Sequence, residues 1–225
     1  MIDDRMKARI AGFAYLVTIA AGIFAEAIVR GSIPTRGDPP AALRAVAEGQ
    51  TLYRLGAIAD IAMLSAYIVV TVLLFELLRR SGRSLALSAA AFSLVGIAVL
   101  AANLLLHLTP LALLDAGLPG RADLALLALR LHGAGYNVSL AFFAVYCVLI
   151  AILLYRSRAV PLAVSVLMGA GGLVRMALVL VWFVGPETSA LVPGFLRLVP
   201  LLGEASLALW LTLFAISTRP SGPSG

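Results

Sequence analysis

The sequence predicts an all-α polytopic membrane helix bundle, a single transmembrane domain over residues 1–218 with six spanning helices and both termini in the cytoplasm. Three observations predict it. Of 225 residues, 62% are hydrophobic and the mean hydropathy is +1.04, far above a soluble domain, whose core is limited by surface-to-volume geometry. The apolar residues fall into six runs, each able to supply the roughly 20 helical residues that a hydrocarbon core requires. Those runs lack the alternation of barrel strands, and an open strand edge cannot persist in lipid. The basic residues lie in short clusters between the runs, so the formal charge of +6 sets topology and is not the footprint of a nucleic-acid partner.

The first helix is expected at 10–29, after Arg5, Lys7 and Arg9. Its end, Ala25-Glu26-Ala27, resembles a signal-peptidase site, but the run is longer than a signal core and further spans follow, so an uncleaved helix is expected. Asp38 followed by Pro39 reads as an N-cap and a first-position proline, predicting a short surface helix over 41–48 before the second span at 55–78. The third span, at 85–108, should end near Pro110. Leu118-Pro119-Gly120 marks a turn, after which Asp123 should cap a helix running into the fourth span at 131–155. From Asp123 to Tyr155 that helix would rise about 50 Å, more than a core of about 30 Å needs. It must project or break, with Gly133-Ala134-Gly135 the expected break. The fifth and sixth spans are expected at 162–184 and 198–218, and residues 219–225 read as a flexible tail.

The connections alternate in charge. Arg79, Arg80 and Arg83, then Arg156 and Arg158, then Arg219 stand in three places without an acid. The other connections carry Arg30, Arg36, Arg44, Arg54, Arg121, Arg130 and Arg197, diluted by Asp38, Glu48, Asp115, Asp123 and Glu187. The positive-inside rule then places both termini in the cytoplasm of a cell-membrane protein.

Polar intrusions into the apolar runs are the functional clue. An ionised side chain at a membrane helix centre costs about 2.5–3.5 kcal/mol on insertion scales, so Glu26, Asp60, Arg175 and Glu204 should face the bundle interior. Tyr53, Asp60 and Tyr67 share a face of the second helix, and Asn103 and His107 lie one turn apart on the third. Counting along the helices sets Glu26, Asp60, His107, His132, Asn137 and Glu204 in the outer half, with Arg175 near mid-span. They form the expected ligand-binding set, converging on a cavity that opens outward. Arg175 would anchor an anion or pair with Asp60 or Glu204, and His107 and His132 would be proton carriers or metal ligands, or else polar caps at the interface. The last reading is favoured because neither histidine belongs to an HxxxH or HExxH motif or has a nearby Cys ligand. The competing structural reading makes the charges helix staples, and Tyr136 and Asn137 hydrogen bonders between helices.

No catalytic residue can be assigned, and no metal or cofactor is expected. There is no Gly-rich phosphate loop with Lys, no GxSxG, no HExxH and no dinucleotide fingerprint. A bis-histidine haem would need His107 and His132, both near the surface. Cys147, the single cysteine, excludes an internal disulfide and reads as a small buried core residue.

Several short motifs carry a resemblance. Arg9-Ile10-Ala11-Gly12-Phe13-Ala14-Tyr15-Leu16 leading to Glu26, Leu52-Tyr53-Arg54-Leu55-Gly56, Ala141-Phe142-Phe143, Tyr155-Arg156-Ser157 with Pro161, and Gly203-Glu204 with Leu209-Trp210-Leu211 resemble the bacterial integral-membrane family catalogued as domain of unknown function 4386. The resemblance implies a six-helix cytoplasmic-membrane protein and brings no activity, substrate or cofactor. The leading functional expectation is a sensor or transport-related protein binding a small ligand or ion. The alternatives are a membrane-embedded enzyme or redox protein using His107 and His132, and a structural or assembly partner. The expected partners are the lipid bilayer and that ligand, with no nucleic acid.

Overall fold

The computed structural model describes residues 3–185, 188 and 192–216. Glu187, residues 217 and 218, and the expected tail with Arg219 lie outside them. Among the described residues the elements are all helical: α1 (Asp4–Ile23), α2 (Pro39–Glu48), α3 (Gln50–Leu78), α4 (Arg83–Leu114), α5 (Arg121–Ser157), α6 (Leu162–Val184) and α7 (Leu198–Phe214). A π-helical turn, Phe24–Val29, and a 3-10 turn, Arg30–Ser32, extend α1. A 3-10 turn, Gly194–Arg197, leads into α7, and with these extensions six helices among the described residues, all but α2, are long and apolar enough to cross a membrane. Their outward faces agree: Ile58, Leu87, Leu105, Leu173 and Leu213 are all exposed, a surface that suits lipid and would be an aggregation liability in water.

The six long helices close a ring in chain order. Each packs on the next, and α7 returns to α1. Small residues set the spacing, since packing without a hydrophobic drive relies on close backbone approach. A Cβ added at Gly12 would strike the backbone of Thr212, one at Gly203 the carbonyl of Leu167, and one at Gly172 the carbonyl of Ala144. These contacts seat α7 on α1, α7 on α6, and α6 on α5. An aromatic knot closes the ring interior: Tyr67 stacks on Phe143 with centroids 4.8 Å apart and meets Tyr146 edge-on at 5.9 Å and Tyr15 at 5.6 Å.

Two sequence expectations need correction. The third span does not stop at Pro110, which sits inside α4. The helix continues to Leu114 because Leu111 and Leu113 bury themselves against α2 and α5, in clusters with Val46, Leu43 and Ala125. Nor does α5 break at 133–135, for it runs unbroken over 37 residues, about 55 Å at 1.5 Å per residue. Its surplus length projects past the bundle and is covered by α2, whose Ala42, Leu43 and Val46 are buried. Gly135 serves close approach instead: a Cβ there would collide with the Asn103 side chain of α4.

Helix starts are also simpler than expected. Asp38 precedes α2 but its side chain makes no capping bond, and lies 4.0 Å from Arg44. Asp123 stands in the first turn of α5, and Gly120, with φ 72°, occupies the cap. That left-handed conformation is one glycine adopts without steric cost.

The bundle therefore has two ends. One bears α2 and the connections after α1, α4 and α6, and is called the α2 face; the other, the terminal face, bears the described chain ends. Gly203→Val should lower unfolding stability in detergent by about 1–3 kcal/mol, the usual cost of overpacking. Gly133→Ala should not, because nothing stands within 4 Å of the added Cβ; parallel thermal unfolding of the two variants checks this.

Candidate functional site

A chamber of about 720 Å³ lies inside the ring. Every long helix contributes to it: Glu26 from the turn extending α1, Tyr67 from α3, Leu100 from α4, Asn137 from α5, Arg175 from α6 and Glu204 from α7. The walls are otherwise largely apolar, with Met63, Phe143, Leu178 and Trp182 among them. Apolar walls with a few convergent polar groups are the usual make-up of a small-molecule site.

The ion pair within it joins α6 to α7. Arg175 Nη2 lies 3.1 Å from Glu204 Oε1, and the two side chains are 14% and 12% exposed. Cys147 Sγ approaches the same carboxylate oxygen at 3.5 Å. Arg175 stands midway along α6. Glu204 lies deeper than its place near the start of α7 implies, because Gly203 abuts Leu167 and Met168, near the terminal end of α6. Arg175 Nε and the buried hydroxyls of Tyr15, Tyr67 and Tyr146 have no hydrogen-bond partner among the described residues. Buried donors are rarely left so.

A second polar level lies toward the α2 face. Arg30 extends Nε to Glu26 at 2.6 Å and donates Nη1 and Nη2 to the two carboxylate oxygens of Asp60, at 2.7 and 3.0 Å. This bidentate clamp ties the extension of α1 to α3, the arrangement guanidinium geometry favours. Glu26 keeps its side chain 44% exposed and lines the chamber. Arg30, read in the sequence only as a connection charge, organises this level; the signal that could have found it is its spacing of four residues from Glu26.

The histidines sit beside this clamp in two reciprocal pairs. Tyr53 donates its hydroxyl to the carbonyl of His107 at 2.8 Å, while His107 Nε2 donates to the carbonyl of Tyr53 at 3.1 Å and the rings stack 4.0 Å apart. Asn103 Nδ2 donates to the carbonyl of His132 at 2.8 Å, and His132 Nδ1 donates to the carbonyl of Asn103 at 3.1 Å. Each pair joins two helices, α3 to α4 and α4 to α5. The imidazole centroids are 5.6 Å apart. Among the described residues, no group of three or more His, Cys, Asp or Glu side chains is placed to hold a metal ion.

The expected site residues thus divide. Glu26, Asn137, Arg175 and Glu204 line one chamber, whereas Asp60, His107 and His132 lie outside its lining. Trp182, Tyr136 and Arg197 join the lining without having been in the expected set. A family model described as Domain of unknown function (DUF4386) matches residues 10–214. No curated protein and no solved structure matches the chain.

Removing Arg30 alone leaves Asp60 buried without its cation. Arg30→Met should cost about 3–5 kcal/mol of stability, and adding Asp60→Asn to it should recover most of that loss. Denaturation midpoints of the single and double variants measure the difference.

Proposed function

The chain belongs to the DUF4386 family, and from its geometry we propose that it is a multi-pass membrane protein that binds a small molecule in the ring chamber, acting as a sensor or a component of transport. In this reading both termini face the cytoplasm and the chamber opens to the outside of the cell membrane. The terminal face carries Arg79, Arg80, Arg83, Arg156 and Arg158 at helix ends and in the short connections between them, which the positive-inside rule keeps in the cytoplasm.

The observation that carries the reading is the excess of donors at the chamber. Tyr67 and Arg175 line it, and the Tyr67 hydroxyl and Arg175 Nε, themselves buried behind that wall, lack acceptors among the described residues. Buried donors of this kind call for an oxygen acceptor. The charged side chains that line the chamber, Arg175 and Arg197 against Glu26 and Glu204, already balance, so a full anion would leave a net negative charge in a low-dielectric interior at considerable cost. The ligand class that fits is largely apolar with a neutral oxygen acceptor such as a ketone, ester or quinone carbonyl. The chamber volume suits such a molecule, since ligand pockets span roughly 300–1,000 Å³. Glu26 and Asn137 would set its polar end toward the mouth. Asp60, His107 and His132 hold the helix ends that frame the chamber; each imidazole donates one nitrogen to a backbone carbonyl and keeps the other buried without a partner among the described residues.

Purified protein should be screened by thermal unfolding against membrane-soluble ketones, esters and quinones, with carboxylates of matched size alongside. At a hundredfold excess over Kd, a bound ligand adds about 2.7 kcal/mol. At least one neutral acceptor should produce such a shift, and it should vanish in Leu140→Trp, which fills the chamber, and in the charge-balanced Arg175→Met with Glu204→Gln. A shift retained in both variants, or none with any neutral acceptor, removes the reading.

A further inference from the structure

We propose that a second pocket, at the terminal face, holds the phosphate of an anionic phospholipid. This cavity of about 410 Å³ is lined by Arg5 and Arg9 of α1, Arg158 just after α5, and Trp210 and Phe214 of α7. No acidic side chain lines it. None of the three arginine side chains has an ion-pair or hydrogen-bond partner among the described residues; the nearby acid of the first turn of α1, Asp4, faces Arg80 at 3.6 Å. Three guanidinium groups without counter-ions around one cavity are an anion site by electrostatics alone.

Position selects the source of the anion. Arg9 stands just before the apolar run of α1, Arg158 follows the last residue of α5, and Phe214 is the last residue of α7, so the pocket sits where three spanning helices end. That is the headgroup level of a bilayer, where tryptophan and basic residues concentrate. Basic pockets between helix ends bind anionic headgroups. Trp210 and Phe214 give the same cavity an apolar wall, against which the glycerol and upper acyl chain of a lipid pack and a free phosphate would not. The backbone adds a further sign. Arg158 adopts φ 52° and ψ 28° at the end of α5, a left-handed conformation that glycine takes at helix ends without steric cost. The chain accepts that strain while keeping an arginine there.

The test uses the full chain. Trp182 and Trp210 are its two tryptophans, so in the Trp182→Phe background the fluorescence reports on Trp210. In phosphatidylcholine vesicles, a small fraction of brominated phosphatidylglycerol should quench Trp210 roughly tenfold more effectively than the same fraction of brominated phosphatidylcholine. Arg9→Gln with Arg158→Gly should abolish the preference; the glycine also relieves the strained backbone, and Arg158→Gly alone serves if the pair folds poorly. Arg79→Gln with Arg83→Gln removes as much charge from the same face outside the pocket, and should leave the preference intact. Equal quenching by the two lipids, or equal loss in the two double variants, overturns the proposal. So does a response of Trp210 in detergent to inorganic phosphate alone, which would make the site one for a soluble anion.

Discussion

The contact between Arg175 and Glu204 joins α6 to α7 in the middle of the ring, and the surrounding interior is arranged to tolerate it. Taking both charges out of water is costly, and only close geometry and further hydrogen bonds repay it. Besides Arg175, the Cys147 thiol approaches the carboxylate, at 3.5 Å, while the buried hydroxyls of Tyr15, Tyr67 and Tyr146 make no hydrogen bond among the described residues. A close-packed apolar interior would be simpler to build. Instead, six helices around one axis leave space at the centre, and the tyrosine–phenylalanine knot fills only part of it. The chamber is what remains.

The second polar level answers the same constraint differently. Near the α2 face the helices need fastening where the chain departs from regular geometry: the π-helical turn at Phe24–Val29 and the projecting end of α5. Arg30 fastens the first, tying Glu26 and Asp60 into one cluster. The Tyr53–His107 and Asn103–His132 exchanges fasten α3, α4 and α5. Each such pair satisfies two polar side-chain groups at once where no water is available to do so, leaving His107 Nδ1 and His132 Nε2 as the buried atoms of these rings without a partner among the described residues. π-helical turns recur at functional sites, and here the turn carries Glu26 to the chamber wall.

Polarity therefore varies along the bundle axis. The terminal face gathers arginines around an aromatic-walled pocket, the middle holds one balanced ion pair, and the α2 face holds a triad of one cation and two carboxylates. The lipid-facing surface between these levels stays apolar.

The sequence by itself determined the helical class, six runs long enough to cross a membrane and the inward turn of Asp60, Arg175 and Glu204, whereas the Glu26 side chain stays 44% exposed. All three follow from the cost of exposing backbone and charge to hydrocarbon, a cost that depends on composition and period and not on neighbours. The heptad of Tyr53, Asp60 and Tyr67 showed a buried face of α3 in the same way. Tertiary structure alone decided which inward groups meet. Arg175 chose Glu204 and not Asp60, because α6 and α7 are neighbours in the ring while Asp60 already has Arg30 within 2.7 Å. It also decided that α5 would run straight through its glycines, since α2 was there to cover the surplus length. Partner choice depends on helix rotation and depth to within a single turn, and those are set by where Gly12, Gly172 and Gly203 let backbones touch. No count along one segment contains the position of another.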